Sequence, residues 1–75
     1  MIMRTLANLK SGETANIINI KISGDGFINR LYALGIKPNS KVKMIRNHRF
    51  FPLHICVGMT EIVMRKKYAR EIMVG

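Results

Sequence analysis

An all-β chain that curls into a small barrel, with a short helix corner and a C-terminal helical turn, is the fold this sequence predicts. Three observations point there. Several short segments alternate apolar and polar residues, as half-buried strands do, and Gly, Pro or Asn interrupts them. Arg30-Leu31-Tyr32-Ala33-Leu34-Gly35-Ile36-Lys37-Pro38 reads as one helical turn wedged between two such runs. Finally, a chain of 75 residues forms a single domain, 1–75, too small to cover a flat sheet. It buries only about 60% of the surface its unfolded form exposes, so the sheet has to hide its edges by closing on itself.

Thr5 to Gly12 is a short lead-in with Leu6 and Leu9 tucked inward and a turn at Ser11-Gly12. Ala15 to Ile22 is the first long strand, and its parity changes midway. Ala15 and Ile17 share one face, whereas Ile18, Ile20 and Ile22 share the other. A strand that swaps its buried face is bulged or sharply coiled. Ser23-Gly24-Asp25-Gly26 breaks the chain, and the helix corner starts near Phe27. Within the corner, Leu31 and Leu34 are three apart and share a helix face, and Gly35 is placed to stop the helix in left-handed geometry. Pro38 forbids its resumption. Leu31, Leu34 and Ile36 are expected to plug one end of the barrel together with Val42, Ile55 and Ile62.

Lys41 to Arg46 alternates basic and apolar residues as a strand would; Asn47 to Phe51 is a loop with Pro52 at its exit. Leu53 to Val57 and Thr60 to Arg65 form a hairpin about Gly58-Met59, with Ile62 and Met64 on one face. Lys66 to Glu71 reads as one helical turn and Ile72 to Val74 as a last short strand, giving five strands in all.

Thirteen Lys and Arg against four acids give a net charge of +9. Such an excess suits an acidic partner, whether nucleic acid, an anionic membrane surface or an acidic protein face. The bases are scattered and never form a run of five. Cys56 is the only cysteine, which excludes an internal disulfide and fits a reducing compartment. No apolar stretch approaches the roughly 18–20 residues needed to span a bilayer. The expectation is a soluble, cytoplasmic chain without membrane insertion.

Catalysis finds no footing. Glu13, Asp25, Glu61 and Glu71 pair with no His or Cys at an interpretable spacing, and no Ser lies in a nucleophile-elbow context. Gly24-Asp25-Gly26 is not followed by the Lys-Ser/Thr of a phosphate loop. For metal, His48, His54 and Cys56 are the soft ligands. His54 and Cys56 project to one strand face, but a zinc site needs three or four protein ligands and no CxxC or HxxxH spacing is present. No enzyme activity, no cofactor and no metal ligand set is expected. Lys41, Lys43 and Arg46 with nearby Phe50 and Phe51 could offer phosphate and stacking contacts to nucleic acid. The same alternation is what a solvated strand face shows.

Phe50-Phe51-Pro52 stands apart from all this. Neighbours in an extended segment project to opposite sides, so one small barrel cannot easily bury both rings. Rimmed by Arg46, His48 and Arg49, they have the composition of a protein-binding anchor, and Arg46, Arg49, Phe50 and Phe51 are the expected docking residues. A lid over the barrel end is the plainer alternative.

The order of these features resembles the family of ferrous iron transport protein A. The resemblance rests on Leu6 and Leu9, Gly12, Ala15 and Ile17, then the corner Arg30, Leu31, Leu34, Gly35, Ile36 and Pro38. It continues with Pro52-Leu53 opening the hairpin and Ala69, Ile72 and Val74 at the end. It implies an SH3-like barrel in the cytoplasm, an accessory that binds and modulates the GTPase-bearing ferrous iron permease through that permease's cytoplasmic domain. The same module closes iron-dependent repressors, and weak self-association is left open. Where the family usually has glycine after the corner proline, this chain has Asn39, which tolerates positive φ. Where the family's loop is glycine-rich, this chain has Arg49-Phe50-Phe51. The alternative is a small basic barrel that binds nucleic acid.

Overall fold

The computed structural model describes residues 4–22, 24 and 26–75; Ser23 and Asp25 of the expected break lie outside the described residues, as do residues 1–3. Among the described residues six antiparallel strands, a 3₁₀ turn and two short helices follow one another. The strands are β1 (Arg4–Thr5), β2 (Thr14–Ile20), β3 (Lys41–Arg46), β4 (Leu53–Val57), β5 (Thr60–Met64) and β6 (Ile72–Val74). The 3₁₀ turn is Leu6–Asn8, and the helices are α1 (Phe27–Ala33) and α2 (Lys66–Ala69). The strand order is β1-β6-β2-β3-β4-β5. The sixth strand is β1, a two-residue pairing of Arg4 with Val74 and Thr5 with Met73, too short to carry a visible alternation.

Closure is visible in the contacts. β1 and β5 are the two ends of the sheet, yet α2, which follows β5, packs against the 3₁₀ turn that follows β1. The curled sheet encloses one core containing Leu6, Leu9, Ile17, Leu31, Ile36, Val42, Met44, Leu53, Ile55 and Ile72. No polar side chain is buried in it among the described residues, so the core carries no desolvation penalty to offset.

Two bulges supply the bend. In β2 the register with β6 runs Ile17 to Val74 and then Asn19 to Met73, so Ile18 is the extra residue. The strand changes its buried face as the parity switch predicts, from Ile17 to Ile20 and Ile22, but Ile18, expected with the latter pair, is the extra residue itself and is turned out to solvent. In β3 the register with β4 runs Met44 to Ile55 and then Arg46 to His54, which makes Ile45 the extra residue.

The corner ends as a Schellman motif. Gly35, at φ 91°, donates its N–H to the Tyr32 carbonyl at 3.0 Å, and Ile36 donates to Leu31 at 2.8 Å. Asn39 also takes positive φ, at 75°. One expectation needs correcting. Leu31 and Ile36 are in the core with Val42 and Ile55, and Ile62 packs at its edge, but Leu34 is 42% exposed and plugs nothing. The helix ends before it. The motif pairs the residue after the glycine with the third from the helix end, so Ile36 and Leu31 make the apolar closure and Leu34 is left at the rim.

In the hairpin between β4 and β5, Gly58 takes φ 63° and the turn holds two residues, with Val57 paired to Thr60. Before β2, Glu13 receives the Lys10 N–H at 2.8 Å and ion-pairs Arg4 at 2.6 Å. Those two contacts, the backbone one first, hold its carboxyl below the ordinary glutamate value.

Candidate docking surface

The β3–β4 loop carries the most exposed aromatic pair on the molecule, with Phe50 84% and Phe51 64% exposed. The loop is a tight turn in which Phe51 donates its N–H to the His48 carbonyl at 3.3 Å. Its tip is Arg49 and Phe50, and the Arg49 guanidinium lies over the Phe50 ring, 5.4 Å from its centroid. Phe51 meets the His48 ring edge-on, with centroids 6.4 Å apart.

Three groups hold this turn in place. The Asn47 side-chain amide donates to the carbonyls of Leu9 at 2.6 Å and Ala7 at 3.2 Å, and its backbone N–H donates to Ser11 Oγ at 3.0 Å. On the other flank, Lys66 Nζ donates to the carbonyls of His48 at 2.7 Å and Arg49 at 2.8 Å. Backbone that would otherwise fray is tied to the lead-in segment and to α2. The phenylalanines are therefore presented on a fixed turn, which lowers the ordering cost of any contact they make.

Arg46 owes its place to the β3 bulge. It has the same parity as Val42 and Met44, which point inward, and regular pairing would aim it at the core. The extra residue Ile45 resets the alternation, so Arg46 pairs with His54 and lies exposed beside the loop. Depressions on either side of Phe51 are lined by Arg49, Arg65 and Lys66 and by Arg46, His48 and His54, with no acid in either lining. Arg65 and Lys66 are members of this surface that sequence reasoning left out. Their place at the junction of strand and helix gave no signal, because only the fold brings them back to the loop.

Arg30 lies exposed on α1 and does not line either depression beside Phe51, and Leu31, Gly35 and Pro38 serve the corner. His54 and Cys56 do share the outer face of β4, but each is engaged elsewhere. His54 Nε2 is 2.8 Å from the Glu61 carboxylate, and Cys56 Sγ donates to the Gly58 carbonyl at 3.3 Å. No three His, Cys, Asp or Glu side chains among the described residues are placed to hold one metal ion. Calorimetric titration of the purified chain with ferrous iron or zinc is expected to show no stoichiometric submicromolar binding. A site of that strength that His54→Ala abolishes would reverse this.

The FeoA domain family matches residues 4–75, and the chain belongs to it; the family is associated with ferrous iron transport. No curated protein matches the chain. Among solved structures, Stenotrophomonas maltophilia FeoA complexed with zinc, described as a procaryotic SH3 domain protein, is similar at 25% identity and a TM-score of 0.80. That match covers 96% of this chain and 89% of the other. Iron(II) transport protein A from Clostridium thermocellum is 25% identical with a TM-score of 0.84, over 95% of this chain and 44% of that one. A manganese-dependent transcriptional repressor shares the fold at 16% identity and a TM-score of 0.87, over 100% of this chain and 41% of the repressor. The SH3-like barrel expected from the sequence is thus the fold of this chain. No helix among the described residues is long and apolar enough to cross a membrane.

Proposed function

We propose that this chain is a non-enzymatic, cytoplasmic accessory of bacterial ferrous iron uptake that docks on the cytoplasmic domain of the GTPase-bearing iron permease and modulates it. The observation that carries the reading is the pinned turn with two exposed phenylalanines flanked by Arg46, Arg49, Arg65 and Lys66. Aromatic and arginine side chains at the centre of a patch are the types that most often dominate interface energy. The net charge of +9 supplies the long-range part, steering the barrel towards an acidic face. Membership of a family associated with ferrous iron transport, and the description of the S. maltophilia protein as a candidate ferrous iron transport activating factor, indicate which partner to try first.

The test is binding to the permease's cytoplasmic domain, read by surface plasmon resonance at two salt concentrations. Phe51→Ser is expected to raise Kd about thirtyfold, the equivalent of ~2 kcal/mol for one anchor. Its melting temperature should stay near that of the parent, because the ring is already in solvent. Arg49→Glu should act chiefly on the association rate, with the difference shrinking at high salt. Unchanged affinity in both variants would exclude this surface. A steep salt slope against mixed RNA, with no binding to the permease domain, would favour the nucleic-acid alternative instead.

A further inference from the structure

The β5 edge and the groove between it and α1 point to a second docking site, and we infer that it accepts one extended, acid-flanked apolar segment of another protein as an added strand. This goes beyond the reading above: the groove adjoins the permease-docking surface and shares Val63 and Arg65 with it, but the β5 edge and the α1 wall take no part in that surface. Among the described residues β5 pairs with β4 alone and ends the sheet order, so one side of its backbone is without strand partners. Strand edges are normally blunted by Lys, Pro, a bulge or extreme shortness. Thr60-Glu61-Ile62-Val63-Met64 has neither Lys nor Pro, its one charge, Glu61, is paired across to His54 of β4 at 2.8 Å, and its register with β4 is unbroken over five residues. Val63 is 69% exposed on this edge.

Beside the edge lies a groove of about 220 Å³ with Ile62 and Met64 on one wall and, on the other, Leu31 of α1 and Leu34 just past its end. Phe27 stacks on Tyr68 with centroids 4.3 Å apart, joining α1 to α2 along the same groove. An added strand would supply main-chain hydrogen bonds to β5 and place alternate side chains against these apolar walls. The exposure of Leu34, unexplained by the core, acquires a use there.

Charge decides the occupant. Arg30 and Arg65 line the groove with no acid, and neither has an ion-pair partner among the described residues. A second copy of this chain would bring +9 against +9 and repeat the same two arginines, so self-pairing is opposed electrostatically. A segment with apolar residues on alternate positions and Asp or Glu between or beside them satisfies both walls and rim. Five strand residues span about 17 Å, so a segment of that length fills the edge.

The probe is a fluorescein-labelled eight-residue peptide alternating Glu with Leu and Val, titrated into the full chain by fluorescence anisotropy with amide spectra recorded in parallel. Saturable binding with shifts confined to residues 60–65 and 27–34 is expected. Val63→Glu should weaken it at least about tenfold, and Phe51→Ser should leave it unchanged, which separates this site from the permease-docking surface. Two peptides N-methylated on opposite alternate residues test the ladder: one should lose binding and the other keep it. The inference is overturned if no saturation appears at millimolar peptide, if both methylated peptides bind like the parent, or if a Lys-for-Glu peptide binds equally well. It is also overturned if sedimentation shows a dimer that Val63→Glu dissociates, since the edge would then belong to a second copy.

Discussion

Ile36→Ala is expected to destabilise the barrel by about 2–5 kcal/mol, while Leu34→Ala, two residues earlier in the same corner, should cost about 1 kcal/mol or less. Ile36 is wholly buried and closes the helix end together with Leu31, so truncation leaves a cavity walled by core side chains that cannot collapse far. Leu34 loses only a partial burial, because nearly half of it is already in water. Domains of this length hold roughly 4–11 kcal/mol in total, so the first change removes a large share of the stability and the second a small one. Urea titrations run side by side give the comparison. Equal midpoints for the two variants would mean that the corner does not close through Ile36.

Gly35→Val should cost about 1–3 kcal/mol through backbone strain. At φ 91° a β-branched residue is held where its Cβ crowds its own backbone. Space is not the limitation: an added Cβ would meet Val57 Cγ1 at 3.6 Å, an ordinary contact. The strain would also reach β3, because the Gly35 carbonyl accepts from Ser40 Oγ at 2.7 Å just before that strand begins. Gly35→Asn should recover much of the loss, as Asn39 already holds φ 75° a few residues on. Thermal melts of the two variants decide the matter, and equal melting temperatures would locate the cost in side-chain size rather than in φ.

The two bulges show how much of the fold could be read in advance. The one in β2 leaves a trace, since Ile17 and Ile20 are both apolar at a spacing that regular alternation cannot bury together, and an extra residue reconciles them. The one in β3 leaves almost none. Lys41-Val42-Lys43-Met44 alternates cleanly, and Arg46 at inward parity reads as the strand's end rather than as a residue carried outward by Ile45. The loop was legible as composition: two adjacent aromatics beside two arginines. Its rigidity was not, because Asn47 and Lys66 act on backbone carbonyls that are near them only after the sheet has curled.

What the sequence determined by itself is therefore everything that depends on neighbours along the chain. Gly35 and Asn39 mark the positive-φ positions, the hairpin turns at Gly58, and alternation names most of the core. Turn chemistry and side-chain periodicity act over a few residues, and those residues are all present in the string. The tertiary structure alone decided that Arg65 and Lys66 stand beside Phe51. It also decided that β5 is left as an edge next to α1. Each of these depends on which segments closure brings together, and with the two ends of the sheet joined through α2 and the 3₁₀ turn, that choice is made by packing of the whole core, not by any local pattern.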